Sequence, residues 1–190
     1  QVSAGGYHTC AIIDDDSLKC WGLNQKGQLG LDDTTNRGHT SGPNSMANPL
    51  AVVNVGAGRF ATQVSAGQMH TCVVLDNATA KCWGENTYYQ IGDGSNSDRG
   101  DGGEMAALPA LNFGGPTPVS IYAGGRFTHA IMSDGTVRRW GNNGNGNAAR
   151  GDIVSPITSS TNIASSLNAM GTSLIATNLI GGTLCAITSG

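Results

Sequence analysis

Short apolar runs alternate with glycine-rich and polar stretches along this chain, and the pattern predicts β-strands. The runs at 8–13 and 70–75 are rich in threonine, cysteine, isoleucine and valine, with glycine before them and acidic or polar residues after them. Each is followed by a second short run that ends in Cys-Trp-Gly, at 20–22 and at 82–84. Two β-prone runs separated by a turn are typical of a β-hairpin. More apolar pieces predict one additional strand in each of these two regions, at 49–55 and at 106–113.

The chain repeats itself. The phrase Gln-Val-Ser-Ala-Gly-x-x-His-Thr-Cys occupies residues 1–10 and returns 62 residues later at 63–72. A third copy at 123–130 leads to another Trp-Gly, and a fourth begins at 181–187. Repeated small antiparallel sheets are typical of radial or stacked all-β arrays. The predicted units are 1–62, 63–120, a divergent third unit at 121–179, and the start of a fourth at 180–190.

The first two units each carry two cysteines at one spacing, and the third unit carries neither. His129 and Arg139 occupy the equivalent positions. Loss of both cysteines together is what a bond between them predicts, because an orphaned thiol has little reason to remain. The expected disulfides are Cys10 with Cys20 and Cys72 with Cys82.

The midpoint of each cysteine pair falls on a residue that favours turns. These midpoints are Asp15 and Asn77, and the third unit has Asp134 there. A hairpin folded at these points sets the two cysteines opposite each other, at a Cα separation of about 4.5 Å that suits a disulfide. A pair of buried free thiols is the alternative. A metal site is a second alternative, although the ten-residue spacing of the cysteines differs from the close Cys-x-x-Cys pairs of zinc sites.

The segment after the first hairpin is the most specific in the chain. Residues 21–32 read Trp-Gly-Leu-Asn-Gln-Lys-Gly-Gln-Leu-Gly-Leu-Asp, and Trp-Gly-x-Asn returns at 83–86 and at 140–143. This pattern resembles the repeat of the regulator of chromosome condensation family. The second unit departs from it with Tyr89 in place of a glycine, and the third departs with Asn-Ala-Ala at 147–149.

The resemblance implies an all-β fold, a β-propeller that typically has seven blades. About three and a half blades fit in this chain, so a closed ring would need roughly twice the length, supplied by further sequence or by other copies. The paired cysteines resemble the secreted, disulfide-bearing members of the family, which implies an extracellular or cell-surface location. The tryptophans of the Trp-Gly motifs are expected to pack as equivalent blade anchors, namely Trp21, Trp83 and Trp140.

Composition argues against several classes of function. Charged residues make up 12% of the chain, and the net charge of -3 comes without clustered lysine or arginine, so nucleic acid is not an expected partner. No apolar run reaches the roughly eighteen residues that a membrane-spanning helix needs. The sequence shows no motif that pairs a nucleophile with a base, no nucleotide-binding loop and no pair of catalytic carboxylates. We therefore expect neither enzymatic activity nor a cofactor or metal. His8 and His70 share a repeat position that Phe127 fills in the third unit, which favours packing over chemistry.

Three further features mark candidate sites. Cys185 lies in the fourth unit, and we expect it to be unpaired, to bond a second chain or to bond a downstream segment. Asn77-Ala78-Thr79 is an N-glycosylation sequon at a predicted hairpin tip. Arg-Gly-Asp, a triplet that adhesive proteins present, stands at 99–101 and 150–152, but it arises easily in a glycine-rich chain.

The leading functional hypothesis is a non-catalytic extracellular propeller module that serves as a structural scaffold and binds a protein or a glycan. One alternative is a subunit of an extracellular fibre or surface appendage, in which open sheet edges join copies into a homo-oligomer. A second alternative, guanine nucleotide exchange on a small GTPase, follows from the family resemblance alone.

Overall fold

Short antiparallel strands make up the fold, as the sequence predicts. The computed structural model describes residues 1–39, 44–46 and 49–142, together with two short strands near the end of the chain. Three three-stranded sheets follow one another, each with its strands in sequence order. Sheet 1 contains β1 (Val2–Ala4), β2 (His8–Ile12) and β3 (Leu18–Gly22). Sheet 2 contains β4 (Ala61–Ala66), β5 (His70–Leu75) and β6 (Ala80–Gly84). Sheet 3 contains β7 (Pro118–Ala123), β8 (Phe127–Met132) and β9 (Val137–Gly141). Strand β10 (Leu174–Ile175) pairs with β11 (Ile187–Thr188).

The second and third strands of each sheet form the predicted hairpin. At the three tips, Oδ1 of Asp15, Asn77 or Asp134 accepts a hydrogen bond from the backbone N–H two residues later, at 3.0, 3.3 and 2.9 Å respectively. This local bond is how aspartate and asparagine stabilise a turn. The next residue at each tip has a positive φ: 63° at Asp16, 57° at Ala78 and 79° at Gly135.

The sheets pack side by side, with apolar cores in the two spaces between them. The inner strands are neighbours, since β4 contacts both β1 and β7. Leu18, Leu29 and Trp83 belong to the core between sheets 1 and 2. Ile91 and Trp140 belong to the core between sheets 2 and 3. This is the arrangement of successive blades in a propeller.

Each sheet turns a different row of side chains toward each neighbour, because side chains alternate along a strand. In sheet 1, cross-strand pairing places Ser3, Cys10 and Cys20 on one face and Thr9 and Trp21 on the other. The Ser3 hydroxyl accepts a hydrogen bond from the backbone N–H of Ala66 in sheet 2, at 2.9 Å. We call the face with the serine position the forward face of a sheet, and the face with the tryptophan its backward face.

Two details differ from the sequence expectations. The boundaries drawn after 62 and after 120 fall inside β4 and β7, because each strand continues outward past a register shift. The additional strands expected at 49–55 and 106–113 are wrong for the described residues of those segments. The first segment keeps an isolated antiparallel bridge between Val52 and Lys19, with Val53 N–H donating to Leu18 at 2.8 Å. In the second segment, Leu111 N–H donates to Ala80 at 2.8 Å. Met105–Ala107 forms a 3-10 helix instead, and Pro109 has no N–H to offer a sheet.

Candidate functional site

A chain of hydrogen bonds crosses the space between sheets 1 and 2. Nε2 of His8 lies 2.7 Å from Oγ1 of Thr71, and that hydroxyl donates to the backbone oxygen of Gln28 at 2.8 Å. Because the single hydroxyl proton goes to the carbonyl, His8 must donate through Nε2–H, and its Nδ1 carries the lone pair. The indole N–H of Trp83 donates to the same oxygen at 3.1 Å. We call these four residues a seam network.

The same seam network joins sheets 2 and 3. Nε2 of His70 lies 3.0 Å from Oγ1 of Thr128, which donates to the backbone oxygen of Gln90 at 2.7 Å. The indole N–H of Trp140 also donates to Gln90, at 2.9 Å. Residues at equivalent repeat positions therefore make equivalent contacts, and these contacts tie one sheet to the next.

Burial keeps both seam histidines neutral. Desolvation lowers the pKa of His8 to about 4, and desolvation with a smaller repulsion from His8 lowers the pKa of His70 to about 3. Within the described part of the chain, Nδ1 of each ring is buried and has no hydrogen-bond partner. The rings pack on glycine, since a Cβ at Gly67 would lie 2.6 Å from Nδ1 of His70. Proton uptake would bury an uncompensated charge, so these histidines are poor general bases.

Two of the three expected blade anchors are fully buried. Trp83 and Trp140 are both 0% exposed, and their N–H groups are used in the seam networks. Trp21 is only partly buried, because it lies on the backward face of sheet 1, where no described sheet covers it. The same face leaves Val2 69% exposed, whereas the equivalent Val64 is 2% exposed. The three tryptophans are therefore equivalent in position but not in burial.

The structure joins Cys10 to Cys20 and Cys72 to Cys82, across directly paired strands. Both bonds lie on forward faces, buried in the core beside the following sheet. Each closes a short hairpin, which stabilises the fold by about 2–3 kcal/mol in the chain-entropy account. Cys185 lies outside the described residues.

The forward face of sheet 3 carries a different row. Tyr122, His129 and Arg139 occupy the cross-strand positions that a serine and two cysteines hold in the other sheets. His129 and Arg139 are each 2% exposed. Burial, with a smaller effect of Arg139, lowers the pKa of His129 to about 4, and burial also lowers the pKa of Arg139. The exchange of cysteines seen in the sequence is thus part of a change across the whole row.

A groove of about 550 Å³ runs along the ends of the inner strands. Glycine-rich turns line it, at residues 5–6, 67–68 and 124–125, together with Tyr122. Gly6 N–H donates to Gly67 and Gln68 N–H donates to Gly124, both at 3.0 Å, so successive turns are linked. None of its described lining residues has an acidic, basic or thiol side chain. The groove offers backbone polar groups and small side chains, which suit binding better than catalysis.

Larger side chains follow these turns. Tyr7 is 57% exposed, and Met69 and Arg126 hold the equivalent positions in the next two turns. The Arg126 guanidinium lies 4.8 Å from the centroid of the Tyr88 ring, and its Nη1 donates to the Tyr88 hydroxyl at 3.2 Å. We call Tyr7, Met69, Tyr88 and Arg126 the turn surface.

The remaining sequence candidates are placed as follows. Asn77 is exposed at the hairpin tip of sheet 2. Arg99 of the first Arg-Gly-Asp triplet is bound to Asp93, with an Nε to Oδ2 distance of 2.9 Å, so this triplet is not presented. The second triplet, at 150–152, lies outside the described residues. Where the structure describes the chain, no group of His, Cys, Asp and Glu could hold a metal. In the same part of the chain, no helix has the length and apolar character to cross a membrane.

Comparison with known proteins identifies this architecture. Two family models, both described as regulator of chromosome condensation (RCC1) repeat, match the chain, one at 1–28 and 61–90 and the other at 15–74. Residues 1–90 of the chain are RCC1 repeats. The matched RCC1 segments contain both disulfide hairpins and the Gln28 and Gln90 loops of the seam networks.

Relatives of this RCC1 chain are considerably longer. It is 32% identical to Ultraviolet-B receptor UVR8 of Arabidopsis thaliana over 161 residues, and this match covers 83% of this chain and 33% of that protein. It is 25% identical over 160 residues to Protein pim1 of Schizosaccharomyces pombe, covering 80% and 29%. The chain therefore spans about a third of these curated relatives. The crystal structure of Prp20p from Saccharomyces cerevisiae matches with a TM-score of 0.64 at 18% identity, over 82% of this chain and 36% of that chain. The predicted propeller fold is confirmed.

Proposed function

We propose that this RCC1 chain is a non-catalytic β-propeller module that acts outside the cell or at the cell surface, as a scaffold that binds a protein or a glycan. The pair of hairpin disulfides carries the proposal. Such bonds form and persist in oxidising compartments and are rare in the reducing cytosol. Their burial at the sheet interfaces makes them part of the packing.

The seam networks support a non-catalytic role. Histidine is the side chain best suited to acid–base chemistry near neutral pH. Here His8 and His70 are buried, neutral and hydrogen-bonded to threonines of the next sheet. They serve to hold sheets together, and the groove lining supplies no replacement for them.

The turn surface and the adjoining groove are the proposed binding region. Tyrosine and arginine are enriched where proteins bind partners, because they combine a large contact area with polar groups. A cation–π contact and a hydrogen bond hold Arg126 against Tyr88, so these two side chains need little ordering on binding.

Location and thiol state test the proposal together. Cells that make the protein are treated with a membrane-permeant alkylating reagent, and the chain is then recovered from the medium, the cell surface and the cell interior. The proposal predicts extracellular chain whose hairpin cysteines resist alkylation. Chain found only inside the cell, with those four cysteines alkylated, would contradict it.

The binding region has its own test. Glycan arrays and cross-linking to surface proteins are compared for the parent chain and for Tyr88→Ala and Arg126→Ala variants. Asp14→Ala is the matched control, because Asp14 is exposed at a hairpin tip at the other end of the strands. Partner binding should fall in the first two variants and persist in the control. Equal binding by all three would place the partner elsewhere.

A fibre or appendage subunit is the second candidate, and the open backward face of sheet 1 favours it. That face exposes Val2 and part of Trp21, whereas the residues at the equivalent positions of the other sheets are buried. The forward face of sheet 3 weighs against simple head-to-tail stacking, because Tyr122 replaces the serine, Phe127 replaces the seam histidine, and the disulfide is absent. Sedimentation over a wide concentration range decides the matter, since a chain that stays monomeric throughout is not a fibre subunit.

Nucleotide exchange on a small GTPase is the third candidate, and only the similarity to pim1 and Prp20p favours it. The Prp20p structure was described with its binding properties to Gsp1p and histones. Acceleration of labelled-nucleotide release from a panel of small GTPases would support this function, and no acceleration across the panel would remove it.

A further inference from the structure

At the position whose side-chain oxygen accepts the turn hydrogen bonds, the hairpin tip of sheet 2 differs from the other two tips by one functional group. Asn77 holds the position that Asp15 and Asp134 hold in sheets 1 and 3. A hydroxyl residue follows two positions later in every case, as Ser17, Thr79 and Thr136. Only sheet 2 therefore combines an amide with the hydroxyl, in the order Asn-x-Thr.

The turn at this tip uses just one polar atom of the Asn77 amide. Oδ1 accepts hydrogen bonds from the hydroxyl of Thr79 at 2.7 Å and from its backbone N–H at 3.3 Å. Oδ1 of Asp134 accepts the same two bonds from Thr136, at 2.7 and 2.9 Å. A carboxylate thus serves this turn as well as an amide does, and the turn gives no reason for an Nδ2 group at position 77.

The Nδ2 group is free and accessible. Asn77 is exposed, as are Asp76 and Ala78 beside it. Over the described residues, Nδ2 of Asn77 donates no hydrogen bond. The tip lies at the opposite end of β5 and β6 from the glycine-rich turns, about 17–20 Å away for strands of this length. A bulky group on Nδ2 would extend into solvent and leave the turn surface uncovered.

We propose that Asn77 is an N-glycosylation site that takes an oligosaccharide from a lipid-linked pyrophosphate donor. Nδ2 forms a bond to C1 of the first sugar, the bond from C1 to the pyrophosphate oxygen breaks, and the lipid pyrophosphate leaves with that electron pair. One Nδ2 proton passes to a base, and nothing is oxidised or reduced. The inference rests on the proposed extracellular function, because the chain must pass through the secretory pathway to meet this donor.

The glycosylated tip keeps its turn. Transfer leaves Oδ1 in place, so both hydrogen bonds from Thr79 persist. The residue between Asn77 and Thr79 is Ala78, which satisfies the requirement that the middle position of the sequon is not proline.

The test compares the full chain with matched variants, each expressed behind a cleaved secretory leader in a eukaryotic host. Asn77→Asp removes the acceptor but keeps the turn atom that the other two tips use. Thr79→Ala destroys the sequon and Thr79→Ser preserves it. Asp134→Asn completes an Asn-x-Thr sequence at the tip of sheet 3. Peptide masses are read before and after treatment with peptide N-glycosidase, in the medium and in the cell-associated pool.

The parent chain and Thr79→Ser should carry one glycan that the glycosidase removes, and Asp134→Asn should carry two. Asn77→Asp and Thr79→Ala should show no mass shift. A parent chain unmodified at Asn77 in both pools would overturn the proposal, even where the tip of sheet 3 accepts a glycan in Asp134→Asn. The two proposals can fail separately. The location and thiol state of the chain in the cells that make it test the proposed function, whereas the mass of the Asn77 peptide tests glycosylation.

Discussion

Sheets 1 and 2 present the same forward face, whereas sheet 3 presents a different one. In the first two sheets a glutamine, a serine, a histidine and a disulfide meet the following sheet. Oε1 of Gln1 accepts from Val64 N–H at 3.0 Å, and Oε1 of Gln63 accepts from Ile121 N–H at 2.8 Å. In sheet 3 the equivalent positions hold Ser120, Tyr122, Phe127, His129 and Arg139.

The backward face of sheet 3 does not share this change. Thr128 and Trp140 make the same seam contacts as Thr71 and Trp83. Because side chains alternate along a strand, the two faces of one sheet can change independently. Each face is therefore matched to its own neighbour, and the forward face of sheet 3 has changed as a set.

Removal of a seam tryptophan is the largest expected effect. Trp83→Ala should lower the free energy of unfolding by about 3–5 kcal/mol, because the ring is fully buried. Trp21→Ala should cost clearly less, because Trp21 is partly exposed. Denaturant unfolding followed by circular dichroism measures both. Equal losses would contradict the distinction between a covered and an uncovered backward face.

Reduction should loosen sheets 1 and 2 and spare sheet 3. Each disulfide joins residues ten apart, and its loss should cost about 2–3 kcal/mol. Hydrogen exchange with and without reductant, read strand by strand, checks this. Acceleration in β8 and β9 equal to that in β2 and β3 would argue against separately stabilised hairpins.

The reverse experiment gives sheet 3 the missing bond. His129 and Arg139 are paired directly across β8 and β9, as the cysteines are in the other hairpins. The double variant His129→Cys with Arg139→Cys should form a disulfide and be about 2–3 kcal/mol more stable oxidised than reduced. Thiol titration and unfolding in both redox states provide the measurement. Thiols that stay free under oxidising conditions would mean that the hairpins are not equivalent.

Acid should weaken both seams. The pKa values of His8 and His70, usually 6.5, are lowered to about 4 and about 3 in the folded chain. As pH falls, the unfolded chain takes up protons first, so the stability present above pH 6.5 is lost progressively down to these folded values. Each histidine lowers the free energy of unfolding by up to about 1.4 kcal/mol per pH unit.

Urea unfolding across that pH window tests the assignment. Combining His8→Gln with His70→Gln keeps a side-chain donor at each seam but removes the titration. The pH slope should become shallower, with His129 supplying part of what remains. A slope identical to that of the parent chain would assign the acid sensitivity to other groups.

The smallest effect concerns one loop residue. Tyr89 has a φ of 62° at the position where the first unit has Gly27, with a φ of 70°. This left-handed conformation costs a non-glycine residue about 1–2 kcal/mol, so Tyr89→Gly should stabilise the chain by about 1 kcal/mol. Gly27→Ala should destabilise it, because a Cβ there would lie 2.6 Å from the carbonyl carbon of Gly100. Thermal unfolding of both variants checks the pair, and a loss in Tyr89→Gly would mean that the ring contributes more than its backbone costs.

The internal repeat made much of this fold predictable. Asp15, Asn77 and Asp134 identified the three hairpin tips, and the shared spacing identified the cross-strand pairs. The resemblance carried by the Trp-Gly motifs added the propeller. These features depend on local turns and on strand alternation, which a single sequence displays.

Contacts between units were not predictable in the same way. His-Thr occurs in both full phrases, but nothing in one sequence pairs His8 with Thr71, 63 residues away. The partial exposure of Trp21 depends on what packs behind sheet 1, which no motif within the unit encodes. The additional strands failed because an apolar run does not reveal how many of its residues pair with a neighbouring strand, and residues 49–55 pair with β3 only through the bridge between Val52 and Lys19.

Peptide-level mass spectrometry of the native protein, alkylated but never reduced, tests the central claim most directly. We predict linked peptides that join Cys10 to Cys20 and Cys72 to Cys82, each within one unit. Free thiols at these positions, or a peptide that links a cysteine of the first unit to one of the second, would contradict this account of separately stabilised blades.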